Sequence, residues 1–413
     1  MSLPLTLRLA ARNLLRSLRR TLITGAAIAG GLTMMIASSN LQEGSYKAMI
    51  DAGVSEQAGH VVIEAPGFRD EGDARLAVAD SAAVAAAVAA VAPPGSTVLR
   101  RALVPGLAQS PRGSAVVVLA GVEPTREAAV TGWEDRIVEG AFLQDGDARG
   151  ILLGVPLAAQ LAVGVGDKVV LMSQGDADIE SRMFRVVGLV HTGAADLDAA
   201  LALSTVDAAM ELVGRPGGAT QVSLHLAHPN ETPAAHAAVA AALAGRGLTV
   251  LPWPEALPEL LQFTERDRQS SVLLFGVLTV IVSMGVLNTV LMGVMERIRE
   301  IGVMRALGAL PGLVFQMVLW EAILLGGVSS AAGYALGMLL SWPFVVHGVD
   351  YSALIGETME VGGVHLSAVV FPIFDWVGGA RFALMTWGLT VLAALWPARL
   401  AARARPVEAM RHV

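Results

Sequence analysis

VLLFGVLTVIVSMGVLNTVLMGVM, residues 272–295, runs for two dozen positions without a charge. At about 1.5 Å of rise per helical residue, such a stretch crosses the roughly 30 Å hydrocarbon core of a bilayer. The chain leaves it through MERIREIGVMRALGA, residues 295–309, which places Glu296, Arg297, Arg299 and Glu300 within five positions. Another apolar run begins after Pro311. Apolar helix, charged turn and apolar helix together read as two membrane spans joined by a short excursion into water.

Working outward, the composition agrees. Of 413 residues 54% are hydrophobic and 16% charged, whereas soluble domains carry about 25% charged residues. Further spans are expected at 22–39 (LITGAAIAGGLTMMIASS), within 313–342, and at 382–398 (FALMTWGLTVLAALWPA). The alanine-rich run 82–92 is too short to span and stops at Pro93-Pro94, so it reads as a helix of a soluble domain. The first span has small residues at Ala37-Ser38-Ser39, as a cleaved signal would, but its charged and apolar regions are long and it reads as retained.

Arginine placement sets the direction. Arg8, Arg12, Arg16, Arg19 and Arg20 precede the first span; Arg297, Arg299 and Arg305 separate the second and third; Arg399, Arg403, Arg405 and Arg411 follow the fourth. Against these stand Glu296, Glu300 and Glu408. The positive-inside rule puts all three segments, and both termini, in the cytoplasm. The connection 343–380 carries Asp350, Glu357, Glu360 and Asp375 without Lys or Arg and faces outward. The expected fold is therefore a membrane α-helical protein of four transmembrane helices. A large α+β extracytoplasmic domain is inserted between the first and second. The expected divisions are an amphipathic cytoplasmic helix (1–20), first span (21–42), outer domain in two subdomains (43–268) and second span (269–295). A cytoplasmic helix (296–311), third span (312–342), outer connection (343–380), fourth span (381–398) and cytoplasmic tail (399–413) follow.

The outer domain is acidic, with 28 acidic and 16 basic residues over 43–268. Strands are expected at 60–64, 114–120, 150–154, 168–172, 183–190 and 221–226, and helices at 81–91, 157–162, 204–213 and 233–244. Asp176, Asp178 and Glu180 mark an exposed hairpin tip. No serine elbow, cysteine nucleophile or paired-histidine site occurs, so no catalytic residue is assigned. The acidic clusters lack the offsets of a calcium loop, and His225 and His228 lack further ligands for zinc. No metal site is assigned, and the eight histidines read as surface residues. Lys47 and Lys168 are the only lysines and no Gly-Lys pair exists, so the chain has no P-loop for ATP.

In 295–309, Ile298, Ile301, Met304 and Leu307 are spaced to pack on neighbouring helices, Gly308 and Pro311 stop the helix, and Arg297 and Glu300 stand at pairing distance in sequence. Gly333 and Gly337 give the third span a close-packing GxxxG step. Glu321 is the one acid within that span and a functional candidate on cost alone.

MERIREIGVMRALGA resembles the cytoplasmic signature of the FtsX-like/MacB-type family of ABC transporter permeases. The likeness extends over 283–326 and recurs in RNLLRSLRRTLITGAAIAGG (12–31), AGHVVIEAPGF (58–68), ILLGVPLAAQLAVGVGDKV (151–169) and WPARLAARARPVEAMR (396–411), in the family's order. The size of the outer domain and the connection 348–364 are most similar to the lipoprotein-releasing LolC/LolE-type permeases. The resemblance implies a permease of the bacterial inner membrane, working with a second copy or a homologue and a cytoplasmic ABC ATPase dimer. This chain would bind no cofactor; ATP and Mg would sit in the ATPase, where the enzymatic activity would reside.

It further implies that 295–309 is a coupling helix, with Glu296, Arg297, Arg299, Glu300, Arg305 and Gly308 at the ATPase. Glu321 matches the family's third-span acid and would pair with the coupling-helix arginines. Cargo would be lipoprotein or lipid-like, entering near Met34, Met35, Ile36, Leu274, Phe275 and Leu278. A periplasmic carrier or adaptor is an expected partner, and nucleic acid is not. One departure stands out: LolC-type permeases carry a longer, proline-containing hook for a soluble chaperone, where this chain has only SQGDADIESR (173–182). Alternatives are an FtsX-like signalling permease activating an extracytoplasmic hydrolase and a MacB-like efflux permease. An ion-coupled transporter would want more mid-membrane ionisable groups than Glu321, and internal repeats.

Overall fold

The computed structural model describes residues 5–175, 178–193, 195–352, 358–361 and 364–404. Asp176 at the hairpin tip, most of 353–363 in the outer connection, and the tail with Arg405, Glu408 and Arg411 lie outside them. The chain divides into two units, one of residues 1–47, 264–350 and 369–413, the other of residues 48–263 and 351–368.

Among the described residues the first unit contains four helices long and apolar enough to cross a membrane: the first span in Leu18–Gly53, the second in Pro258–Glu296, the third in Pro311–His347 and the fourth in Trp376–Arg403. An amphipathic helix, Leu5–Arg16, precedes them. Large apolar side chains point outward, among them Leu273 (72% exposed) and Val328 (69%). Small residues and hydroxyls lie inside. A Cβ on Gly333 would stand 2.8 Å from the Ala29 carbonyl, and one on Gly337 2.8 Å from Ile36 Cβ. Both glycines therefore bring the third span against the first. Asn40 Nδ2 donates to Ser341 Oγ at 3.0 Å across the same seam.

Among its described residues the second unit is built on a sheet of ten strands. They are β1 (Val61–Glu64), β2 (Thr97–Gln109), β3 (Ser114–Val122), β4 (Ile137–Gly140), β5 (Gly150–Gly154), β6 (Lys168–Gln174), β7 (Ile179–Val190), β8 (Leu201–Thr205), β9 (Gln221–His225) and β10 (Thr249–Pro252). Their order is β10-β1-β9-β2-β3-β8-β5-β7-β4, and β6 bridges β2 and β7. Six strands, β2-β3-β8-β5-β7-β6, thus close on themselves. Alternating residues such as Val117, Leu119, Val169, Leu171 and Phe184 fill the interior with helix Val206–Leu212. The N-terminal end of β2 instead pairs with β9. There β1, β9 and β2 form a second core with helices Ser81–Val91 and Thr232–Ala242.

Several elements differ from the sequence reading. Residues 204–205 end strand β8, and the helix starts at Val206 with Thr205 as its cap, its Oγ1 accepting from Ala208 N. β2 was not expected, because Arg100, Arg101, Pro105 and Gly106 break its apolar alternation. Histidine placement also differs: His225 is 7% exposed, its Nε2 3.1 Å from Ser223 Oγ.

Burial, with Arg101 and His60 nearby, pushes the His225 pKa down to about 3. The unfolded chain binds this proton near pH 6.5 and the folded chain only near pH 3. Stability is therefore full above pH 6.5 and falls through that window, by on the order of 3–5 kcal/mol. The urea midpoint of the full chain is expected to drop more steeply with acid in the parent than in His225→Gln. Equal slopes would count against this origin.

Candidate coupling site

The second span ends at Glu296, and Arg297 takes a non-helical conformation (φ −105°, ψ 13°) before the linker helix Ile298–Ala306. That kink turns Arg297 back on the bundle. Its Nε donates to the Gly293 carbonyl at 3.2 Å, and its two Nη atoms meet the two Glu321 carboxylate oxygens at 3.2 Å each. Asn13 Nδ2, on the helix Leu5–Arg16, donates to the same carboxylate at 2.6 Å. The Glu321 side chain is 12% exposed and that of Arg297 21%. A forked ion pair so shielded gains strength from low dielectric and loses it if either partner is removed. A cavity of about 260 Å³ lies beside it, lined by Leu9, Met304 and Met317 among others.

The expected pairing of Arg297 with Glu300 is therefore corrected. Arg297 stands outside the linker helix, so the i,i+3 geometry does not hold, and Glu300 instead reaches Arg16 at 3.2 Å. Glu296 pairs with Arg20, whose guanidinium lies over Gly293, where a Cβ would come within 2.7 Å of it. Arg305 Nη1 donates to the Ala309 carbonyl at 3.2 Å. Arg299 is exposed and makes no ion pair among the described residues.

Ile301 is 2% exposed and packs with Val294, Val314, Val318, Ala398 and Ala401, Met304 lying against the group. Leu307, expected on the same face, is 84% exposed. A three-residue step falls about 60° short of a full helical turn, so from Ile298 to Leu307 the direction rotates by roughly 180°. Leu310 is likewise 74% exposed and Val303 44%. Sequence reasoning singled out the charges, took Leu307 for a packing residue and passed over Val303 and Leu310. Their signal was the position of the helix stop, where Gly308 adopts φ +96° and donates to the Arg305 carbonyl. A side chain at that angle would be strained.

Of the residues expected to line a cargo cavity, Met34, Leu274 and Leu278 are exposed at 63%, 58% and 40%. Met35 and Ile36 are 4% and 0% exposed and Phe275 is 7%, so these three face the bundle interior. Phe275 meets the Phe382 ring edge-on at 5.3 Å, and Ile36 lies on Gly337. Among the described residues no cluster of His, Asp or Glu has metal-binding form.

Residues 21–242 match the family model of the MacB-like periplasmic core domain, and residues 272–406 that of the FtsX-like permease C-terminal region. The chain is 27% identical over 304 residues to the lipoprotein-releasing system transmembrane protein LolC of Neisseria meningitidis serogroup B, covering 72% of this chain and 73% of that one. It is 36% identical over 129 residues to the macrolide export ATP-binding/permease protein MacB of Sodalis glossinidius, covering 31% of this chain and 17% of that one. The crystal structure of the periplasmic region of MacB from Actinobacillus actinomycetemcomitans aligns with a TM-score of 0.35 at 12% identity, covering 52% of this chain and 92% of that one.

Proposed function

The chain belongs to the family of permeases with a MacB-like periplasmic core domain and is a permease subunit of an ABC transporter; from that premise we propose that it couples a separate cytoplasmic ATPase to motion outside the membrane. The observation that carries this reading is the surface of the turn between the second and third spans. Arg299, Val303, Leu307 and Leu310 are exposed there, on a backbone fixed from behind by the Arg297–Glu321 pair. Apolar side chains beside a free cation form the kind of rim and centre that a protein partner covers.

In this reading the arginine-rich segments face the cytoplasm, where the ATPase dimer binds ATP and Mg and docks on the linker helix. A second permease copy or a homologue completes the assembly. The likeness to LolC supports lipoproteins or similar amphiphiles as cargo, drawn from the outer leaflet. Exposed Met34, Leu274 and Leu278 offer acyl chains an adaptable apolar wall. Efflux in the manner of MacB is the second reading, favoured by the match over 21–242.

The test is a double variant, Arg299→Glu with Leu307→Asp. Co-purification with the cytoplasmic ABC ATPase of the complex is expected to fall about ten-fold or more, with membrane insertion unchanged. Unaltered co-purification would place the docking surface elsewhere. Recovery of a lipoprotein carrier, rather than a cell-wall hydrolase, with the parent complex would separate transport from signalling.

A further inference from the structure

Strand β2 is paired on both sides over only part of its length. Residues 97–101 face β9 on one side, with Val98 opposite Leu224 and Arg100 opposite Val222. On the other side the pairing with β3 begins only at Ala102. In an antiparallel pair the backbone groups of successive residues turn to alternate edges. Arg100 N donates to Glu123 Oε2 at 2.9 Å, and Leu103 N donates to Thr220 Oγ1 on the β9 side. Even-numbered residues therefore turn toward the unpaired edge. Val98 presents both its N–H and its C=O there, with no strand to receive them among the described residues.

A cavity of about 640 Å³ lies along this edge, lined by Thr97, Val98, Arg100, Glu123 and Arg126 and by the helix Ser81–Val91. That helix packs Val84 and Val88 onto the sheet together with Val98. Its flank of Ala82, Ala86 and Ala89 lines the cavity and is exposed, so it overhangs the place a further strand would take. Methyl groups alone on that flank leave room for a backbone beneath it.

Two polar groups narrow the choice of guest. Ser96 Oγ is buried in the same lining and has no hydrogen-bond partner among the described residues. Arg126, 58% exposed, stands 3.6 Å from Glu123, whose carboxylate Arg100 already holds through its backbone N and its Nε. Asp207 reaches Arg100 from outside the cavity. The lining thus carries two cations against one anion, and Arg126 is the one with room for a further carboxylate. An apolar ligand would leave the backbone of Val98 unpaired, and a helix satisfies its own backbone groups. An extended chain matches both the edge and the charge.

We infer that this groove takes an extended acidic segment of a partner protein as an added strand beside β2, its small side chains under the helix and a carboxylate on Arg126. The inference concerns the outer unit alone and goes beyond the coupling reading.

The test pans a displayed library of random ten-residue peptides against the full chain in nanodiscs, with Ala86→Phe as the subtraction. Ala86 is exposed, so the variant fills the groove without entering the core, and its thermal unfolding should match the parent. Ala89→Leu serves as a second filled groove if it does not. Enriched peptides are expected to carry a carboxylate and small residues at alternate positions. One of them, synthesised, should bind the parent at least ten-fold tighter than the filled variant. Arg126→Gln should weaken it about three-fold, as loss of one exposed ion pair does. N-methylation of alternate peptide amides should abolish binding in one register and spare it in the other, because only one set faces β2. Hydrogen exchange at the Val98 amide should slow when the peptide binds.

No enrichment over the filled variants, binding indifferent to N-methylation in either register, or unchanged exchange at Val98 would overturn the proposal. So would parent affinity in both Arg126→Gln and Ala86→Phe. Self-association that Ala86→Phe abolishes would make a second copy the occupant and also overturn it. Failure here leaves the coupling reading intact, since Arg299 and Leu307 belong to the other unit. Failure of those docking variants likewise leaves the peptide result standing.

Discussion

Glu321→Ala is expected to abolish coupling to the ATPase and to cost the bundle about 3 kcal/mol of stability. Without the carboxylate, Arg297 keeps only its bond to the Gly293 carbonyl, and Asn13 Nδ2 loses its acceptor. Removing one member of a buried pair costs roughly 3–5 kcal/mol, and the partial exposure of Arg297 puts this pair at the lower end. The consequence for coupling is geometric. Arg297 is the first residue after the second span and Glu321 belongs to the third, so the pair fixes the angle at which the linker helix leaves the membrane. The exchange Arg297→Glu with Glu321→Arg restores attraction but gives Asn13 no carboxylate, and is expected to recover part of the stability. Thermal unfolding of the purified chain, with the ATPase rate of the assembled complex, measures both. A single variant as stable as the parent, or an exchange no better than either single change, would rule out this role.

Arg101→Ala is expected to destabilise the outer unit by about 3–5 kcal/mol. Arg101 and Glu127 are 4% and 2% exposed, with contacts of 2.6 and 3.1 Å. The same guanidinium donates to the carbonyls of Ser55 (2.7 Å) and Glu56 (3.0 Å). These belong to the π-helical turn Val54–Ala58, which continues the helix of the first span and whose end is marked by Gly59 N donating to Val54 O. One cation therefore neutralises a buried acid and ties down carbonyls that the wider turn leaves without helical partners. Truncation leaves a buried carboxylate and two unsatisfied acceptors. The pair Arg101→Met with Glu127→Leu removes both charges and is expected to restore more than half of the denaturant midpoint. It should still leave the turn more open to proteolysis at 54–59. A loss under about 1 kcal/mol for Arg101→Ala would show that water or another group takes over the arginine's contacts.

The charged turn shows how far sequence carries and where it stops. The charges, the helix stop at Gly308 and the acid in the third span were all legible, because each is a local property of a few residues. The pairing within the turn was misread, because the spacing of Arg297 and Glu300 has meaning only if both are helical, and Arg297 is not. Leu307 was misplaced for a related reason, a three-residue repeat followed past the point where it leaves the face. β2 was hidden by its own arginines, since the burial of Arg101 is tolerable only with Glu127 beside it.

By itself the sequence determined the four apolar helices, the acidic domain inserted between the first and second, and the gathering of arginine at one set of helix ends. Hydropathy and charge add up along the chain, so twenty residues decide the matter without reference to the rest. Only the tertiary structure decided that Glu321 meets Asn13, 308 positions away, that β6 closes six strands by bridging β2 and β7, and that Met35, Ile36 and Phe275 face inward. Each depends on which distant segment arrives alongside. That is settled by the packing of whole faces against one another, with glycines such as Gly333 and Gly337 admitting the close approach.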